Sequence, residues 1–346
     1  AGDAVAMLEF SKFAVSTGSS YTLGTWRHYY NAIYRCNLTL SVLKQVTDMT
    51  ADQKTLVEAQ ARFLRAHYYF LLKINFKNIP WVDENTVDVR VPNTENNDGT
   101  TYVNIWPQIT ADMDFARKNL PATQTDLGRP NNWAAEAYYA KILIYRAGEG
   151  EYPNGYAEAL TVLNNVIANG KTSKGDKYAL VSNYMDNFNV LTENGPECVF
   201  AIQYSVNDGT APGFLNSATL GNAFIQWCTS QQAAGPGLGG GIGFFQPTPY
   251  NVDHYRTDPN GLPYLDMYET NPNRVKNDYG LSMATPFEPD TCGLDPRLDF
   301  NVGRRGIPFL DFGLFSSAWI RDQGHGGPYM LKKWNILKSQ YGTYAV

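Results

Sequence analysis

A helix start followed by a long apolar stripe is the feature that most constrains how this chain can fold. Thr50 and Gln53 are three residues apart, the spacing at which an N-cap and an N3 side chain satisfy each other's backbone amide groups. When later residues are placed about 100° apart around a helix, apolar side chains fall on one half of the circumference. These residues are Leu56, Ala59, Phe63, Leu64, Ala66, Phe70, Leu71 and Ile74. The pattern predicts a helix that begins near Ala51 and packs one face against other helices, with Arg62 and Arg65 on the opposite face.

Four ring side chains follow one another in this helix, from His67 to Phe70. His67 lies near the middle of the apolar arc, where a lone histidine is expected to be a hydrogen-bonded core residue and not a ligand. Tyr68 and Tyr69 lie at the margins of the arc, from which they could reach solvent. The aromatic character of the helix is therefore assigned mainly to packing.

The same helical pattern returns several times in the first half of the chain. Periodic segments bounded by proline or glycine predict further helices over residues 26–46, 102–119, 131–147 and 154–170. Ala59 with Phe63, and Ala135 with Tyr139, match the spacing of alanine and an aromatic residue in tetratricopeptide repeats. The sequence therefore predicts a mostly α-helical protein in which residues 1–192 form a tetratricopeptide-like stack of paired helices.

The composition of the chain changes after this predicted stack. The segment "ECVFAIQYS", residues 197–205, alternates in the manner of a strand, and long stretches rich in Gly, Pro, Asn and Asp follow to residue 330. Loops of such length are usually functional or linkers. We therefore predict that residues 193–346 form a loop-rich region with little β structure, packed on the stack as one domain and carrying the ligand site.

Charge and composition restrict the class of partner. The formal net charge is −5 and no run of basic residues stands out, which argues against nucleic acid or an anionic membrane surface as a partner. Aromatic residues make up 14% of the chain and charged residues only 18%, a balance that suits stacking on flat apolar ligand faces. A large aromatic core would give the same composition, so both interpretations stay open.

The acidic residues of the loop-rich region do not form a recognisable catalytic or metal-binding motif. The acidic residues of the loops could supply a carboxylate pair for glycoside hydrolysis, but their spacing selects no pair; they are Asp253, Asp258, Asp266 and Asp295. A calcium loop of the EF-hand type around Asp258 would place Arg256 and Met267 at ligand positions, which excludes it. The sequence therefore predicts a protein that is not an enzyme and needs neither a metal nor another cofactor.

Several segments of the chain resemble the RagB/SusD family, which comprises cell-surface nutrient-binding lipoproteins of the Bacteroidetes outer membrane. They occur in the family's order and are "YNAIYRCN" at 30–37, "EAQARFLRAHYYFLLKINFKNIPWV" at 58–82, "GRPNNWAAEAYYAKILIY" at 128–145, and "DPRLDFNVGRRGIPFLDFG" at 295–313 preceded by "TDPNGLPYLD" at 257–266. Members usually begin with a signal peptide and a lipidated cysteine and end with a further helix pair. None of these is present, so the chain is expected to be a partial one.

The resemblance implies a non-catalytic capture protein of a SusCD-type importer. Such a protein would lie at the cell surface, held by a lipid anchor that this chain does not contain. There it would bind an oligosaccharide and deliver it to a SusC-like TonB-dependent outer-membrane barrel. The alternatives are a peptide-binding subunit of the same importer type, a surface glycosidase, and a helical scaffold that binds proteins alone.

The candidate ligand-binding residues are aromatic and amide side chains that suit a sugar ligand. Aromatic faces stack on sugar rings, and amide side chains bind hydroxyl groups. Trp227 and Phe224 occur beside Asn222 and Gln226 in a loop-rich segment that contributes to the ligand face in the family that the chain resembles. Tyr21, just before the first long helix, is a further candidate because relatives often present an aromatic residue from that region. Trp227 is predicted to be the stacking platform.

Overall fold

The computed structural model of the chain describes residues 8–86, 102–203, 230, 235–236, 241, 243–264, 273–341 and 343. Two compact units are present. The first consists of residues Ala1–Leu180 with Asn194–Ile202, and the second consists of Val181–Glu193 with Gln203–Val346.

The first unit is built from helices that pack in sequence order. They are α1 (Leu8–Ser11), α2 (Ser20–Leu43), α3 (Ala51–Phe76), α4 (Trp106–Asn119), α5 (Asn132–Gly148) and α6 (Gly155–Asn169). From α2 onward, each helix packs against the next one along the chain. This arrangement confirms the predicted mostly α-helical, tetratricopeptide-like stack.

The helix boundaries follow local capping chemistry. Thr50 and Gln53 form the predicted capping box, with Gln53 N donating to Thr50 Oγ1 at 3.2 Å and Thr50 N donating to Gln53 Oε1 at 2.9 Å. The prediction of a helix over 102–119 was four residues too long at its start, because α4 begins at Trp106. Pro107 favours this start, and so does the Asn104 side chain, which accepts a hydrogen bond from Trp106 N. The prediction over 26–46 was also shifted, since α2 covers Ser20–Leu43.

Small alanines and large rings alternate in the core of this unit. Ala59 and Phe63 are fully buried, and Ala135 and Tyr139 are buried in the same way on α5, as the repeat spacing predicts. Tyr69 is also fully buried, so the expectation that it reaches solvent was wrong. Its hydroxyl reaches the backbone of Val82, so burying the ring leaves no unpaired hydroxyl.

His67 is partly buried in the same core. Its ring lies 5.2 Å from the ring of Tyr68 and 5.4 Å from that of Tyr138, both in edge-to-face arrangement. The predicted core position is confirmed, but the expected hydrogen bond is missing at Nδ1, which is buried without a partner. Burial, with a smaller contribution from the charge of Lys141, lowers the pKa of His67 to about 4.

The strand predicted within 197–205 was wrong for the residues that the structure describes. Residues 197–203 contain no strand. Val199 and Phe200 are adjacent in sequence, yet both pack against the helical core, with the Phe200 ring 5.1 Å from that of Phe63. Consecutive inward side chains are incompatible with the alternation on which the prediction rested.

The described residues of the second unit have little regular structure, as predicted. Two strands among them, β1 (Val302–Gly303) and β2 (Met330–Leu331), pair antiparallel with Val302 opposite Leu331. The helices in these described residues are single turns or little more: Tyr184–Phe188, Val190–Thr192, Pro249–Asp253, Leu298–Asn301, Ser317–Trp319, Gln323–Gly326 and Lys338–Gln340. Within the described parts of the chain, no helix is both long and apolar enough to cross a membrane.

Buried arginines hold the irregular loops of this unit together. Arg304 donates to both carboxylate oxygens of Asp299 and to the carbonyl of Asp290, while Arg305 donates to the carbonyls of Ser282, Met283 and Thr285. Backbone carbonyls outside helices and strands need such donors. Arg304 and Arg305 therefore serve the loop structure.

Candidate functional site

The structure places only one of the predicted ligand-binding residues. Tyr21 lies in the first turn of α2, with its side chain 40% exposed and its ring 6.3 Å from that of Phe10 in edge-to-face contact. Its ring is therefore accessible. The remaining candidates lie outside the described residues: Trp227, Phe224, Asn222 and Gln226.

A groove of about 530 Å³ runs along α2 in the first unit. Trp26, Tyr30, Tyr34 and Leu38, spaced four residues apart on one face of α2, form one wall. The irregular segment 80–86, which follows α3, forms the other wall. This volume lies within the range of about 300–1,000 Å³ that small-molecule sites occupy.

The ring side chains of the groove differ in how firmly they are held. The Trp26 ring lies 4.8 Å from that of Tyr30 and 5.0 Å from that of Phe76, and the Tyr30 hydroxyl donates to the carbonyl of Pro80 at 2.8 Å. Tyr34 is 61% exposed. The groove thus combines a packed aromatic base with one accessible ring.

Side chains from the helices fix the irregular wall in place. The Tyr69 hydroxyl bonds both the amide and the carbonyl of Val82 at 2.7 Å, and Asn37 Nδ2 donates to the same carbonyl at 2.9 Å. The Trp81 ring stacks on that of Tyr69 at 4.3 Å. A backbone without helix or strand bonds is therefore held by α2 and α3.

Arg65 links this wall to the stack, and the prediction that it faces away from the packed side of α3 was wrong. Its side chain is 4% exposed. Nε and Nη2 donate to the two carboxylate oxygens of Asp112 at 2.6 and 2.9 Å, and Nη1 donates to Glu84 at 2.6 Å and to Asn37 at 3.0 Å. A buried guanidinium is tolerated here because its donors meet acceptors from α2, α4 and the wall.

Two carboxylates of the wall are held ionised. Burial alone would raise the pKa of Glu84, but the hydrogen bond from Arg65 lowers it below its usual range. Burial would likewise raise the pKa of Asp83, but hydrogen bonds from the Asn85 amide and the Trp81 indole lower it. The groove therefore pairs apolar ring surface with negative acceptors at its rim.

The loop carboxylates considered for catalysis serve the structure of the second unit. Asp253 accepts from the Val275 amide at 2.9 Å, Asp258 accepts from the Asn260 and Leu262 amides within its own turn, and Asp295 pairs with Arg297. Asp266 lies outside the described residues. In the described ranges, no group of three or more His, Cys, Asp or Glu side chains is placed to hold a metal ion.

An exposed aromatic pair in the second unit was missed by the sequence analysis. Phe245 and Trp334 are 40% and 44% exposed, and their rings meet edge to face at 6.2 Å. Residues so far apart in sequence leave no periodic signal. They nevertheless provide ring surface of the kind that was sought around Trp227.

The N-terminal helices match a known protein family. Residues 7–144 match the model of a SusD-like family described as starch-binding and associating with the outer membrane. SusD-like protein P2 of Formosa agariphila is 27% identical over 161 residues, which are 45% of this chain. The match spans 30% of the length of that relative.

Solved structures share the fold. A SusD-like protein from Bacteroides fragilis superposes with a TM-score of 0.66 at 19% identity, covering 97% of this chain and 62% of the other. A laminarin-binding SusD-like protein superposes with a TM-score of 0.54 at 18% identity, covering 93% of this chain and 60% of the other. Taken with the family match over the N-terminal helices, these structures show that the chain is similar to SusD-like proteins in its N-terminal sequence and in its fold.

Proposed function

We propose that this protein captures oligosaccharides at the cell surface and delivers them, unhydrolysed, to a TonB-dependent outer-membrane transporter. The match of residues 7–144 to a family described as starch-binding and associating with the outer membrane carries the proposal. A laminarin-binding protein with the same fold supports a glycan as the ligand. The partner would be a SusC-like barrel, and a lipid anchor would hold the capture protein beside it.

The ligand would be bound in the loop-rich second unit, with Trp227 as the stacking platform. Phe224 would add ring surface, and Asn222 and Gln226 would bind hydroxyl groups. Tyr21, whose ring is accessible at the start of α2 in the first unit, is a further candidate for ring contact with a sugar. A few stacked rings with wet hydrogen bonds give modest affinity, which suits a protein that must also release its cargo.

A calorimetric titration tests this proposal. The full chain is titrated with malto-oligosaccharides, laminari-oligosaccharides and a panel of short peptides, and each reaction is checked for hydrolysis. Trp227→Ala is expected to weaken sugar binding at least about tenfold, as loss of an aromatic hot spot does. Tyr279→Ala is the matched control, because Tyr279 is an exposed ring of the second unit that is not among the proposed ligand-binding residues.

Each outcome decides between the alternatives. Sugar binding that Trp227→Ala weakens, without turnover, supports capture. Binding of peptides alone would replace the ligand class with peptides, and release of shortened sugars would make the protein a glycosidase.

A further inference from the structure

We infer that the groove along α2 is a second saccharide site, separate from the Trp227 platform. The groove accepts a ring of a neutral glycan and disfavours acidic glycans. This inference rests on the proposed function. It concerns the first unit alone, and every residue that carries it lies in the described part of the chain.

The apolar wall of the groove suits the carbon-rich face of a sugar ring. Tyr34 is 61% exposed, and Leu38, one helical turn further along, is 49% exposed. Trp26 and Tyr30 lie behind them as a packed aromatic base. An accessible ring beside fixed rings offers a flat surface of the kind on which ligand rings stack.

Asp83 supplies a hydrogen-bond acceptor for the hydroxyl groups of a sugar ring. Its Oδ1 accepts from the Asn85 amide at 2.9 Å and from the Thr86 hydroxyl at 3.2 Å, whereas Oδ2 accepts from the Trp81 indole at 3.2 Å. An ionised carboxylate has about four lone-pair positions, so these bonds orient the group and leave capacity for a ligand hydroxyl. Asp83 is therefore both held in place and available.

Charge narrows the class of glycan. Glu84 is paired with Arg65 at 2.6 Å and with Lys44 at 3.8 Å, so its charge is compensated. Asp83 is ionised and is bonded to the neutral donors of Trp81, Asn85 and Thr86. A uronic acid or a sulfated sugar would place another negative charge beside Asp83, which costs free energy. A neutral sugar, whose hydroxyl groups donate, matches the same rim.

The groove is also rigid before a ligand arrives. Val82 is held by Tyr69 and Asn37, and Pro80 is held by Tyr30, so the wall does not have to be ordered on binding. Binding sites that are formed in advance lose less entropy when they bind. A short neutral oligosaccharide could therefore bind here without support from the second unit.

The test is a calorimetric titration of the full chain with laminaritriose, which is neutral and too short to need several subsites. The same titration is run on Tyr34→Ala, Asp83→Asn and Trp227→Ala. Tyr156→Ala is the matched control, because Tyr156 is 55% exposed on α6 and does not line the groove. Unfolding midpoints of all variants are recorded to check that each one folds. Tri-galacturonic acid is titrated as the acidic ligand.

Two binding events are expected in the unchanged chain. Tyr34→Ala should weaken one of them about tenfold and leave the other, while Trp227→Ala should do the reverse. Asp83→Asn should weaken the same event as Tyr34→Ala, and the acidic trimer should bind more weakly at that site. If Tyr34→Ala and Asp83→Asn bind as the unchanged chain does, the groove is not a sugar site, although capture through Trp227 stands. If no sugar binds to the unchanged chain, the proposed function falls together with this inference.

Discussion

Arg65 of α3 and Asp112 of α4 form a bidentate ion pair in a place from which water is nearly excluded. The two N···O distances are 2.6 and 2.9 Å, and each side chain is 4% exposed. Since Arg65 also donates to Glu84, the pair joins two helices of the stack to the wall of the groove. Charge-assisted bidentate bonds of this kind specify geometry as well as adding stability.

Removing the guanidinium should destabilise the first unit strongly. In Arg65→Met the buried Asp112 carboxylate loses its two short bonds and keeps only the longer contact with Arg62 at 3.4 Å. Breaking a buried pair in this way costs about 3–5 kcal/mol. Urea unfolding measures the change in free energy of unfolding. Arg129→Met is the matched control, because Arg129 and Asp126 form an exposed pair whose loss costs about 1 kcal/mol at most. A loss below about 1 kcal/mol in Arg65→Met would contradict the role given to the pair.

Two glycines of the stack should respond in opposite directions to alanine. A Cβ at Gly155, the first residue of α6, would lie 2.7 Å from the Leu143 carbonyl oxygen and 2.9 Å from the Ala147 Cβ, so α5 and α6 would have to separate. Overpacking of this kind costs about 1–3 kcal/mol. Gly24 lies within α2 with nothing within 4 Å of its Cβ position, so Gly24→Ala should stabilise by about 0.5–1 kcal/mol. An unfolding midpoint of Gly155→Ala that does not fall would show that the close approach of α5 and α6 is not needed, and a lower midpoint of Gly24→Ala would contradict the gain expected in α2.

His67 should make the stability of the first unit fall in mild acid. Burial lowers the pKa of His67 to about 4 in the folded protein, whereas in the unfolded chain it lies near its ordinary value of 6.5. As the pH falls below 6.5, the unfolded state takes up the proton first, so a contribution of up to about 3 kcal/mol is present above pH 6.5 and lost between pH 6.5 and 4.

The variant His67→Gln tests this pH dependence. Free energies of unfolding measured from pH 7 to pH 4 should fall less steeply for the variant than for the unchanged chain. His28→Gln, at an exposed position of α2, is the matched control for the substitution itself. Equal slopes for the unchanged chain and His67→Gln would mean that the histidine titrates alike in both states.

The capping box at the start of α3 should contribute measurably to stability. Thr50→Ala removes the acceptor for the Gln53 amide and should cost about 1 kcal/mol, whereas Thr50→Ser keeps a hydroxyl there and should cost less. Thermal unfolding of the two variants checks the difference. Identical midpoints would indicate that water replaces the cap at no cost.

Regular helices could be predicted from the sequence because their signals are local. The capping box of Thr50, the apolar arc of α3 and the proline and glycine boundaries of α5 all act within a few residues. Arg65 was misplaced because its burial depends on Asp112 and Glu84, which only the fold brings to it. Residue charge alone predicts a solvent-facing position unless the partners are known.

The groove could not have been predicted for a similar reason. Its walls come from α2 and from residues 80–86, and contacts such as that of Tyr30 with Pro80 cross 50 positions of sequence. The predicted strand failed because Val199 and Phe200 pack on helices formed by residues more than 100 positions earlier, such as Phe63. Long-range packing overrides local alternation in such segments. The platform of Trp227, Phe224, Asn222 and Gln226 stays a prediction.

A protein that captures oligosaccharides, as proposed here, should hold a sugar and release it intact. Equilibrium dialysis of the full chain against laminari- and malto-oligosaccharides, with the recovered ligand sized by mass spectrometry, measures both properties at once. Saturable binding of at least one of these neutral sugars and complete recovery at the original length are expected. Shortened sugars, or no retention of any sugar at millimolar concentration, would rule out capture.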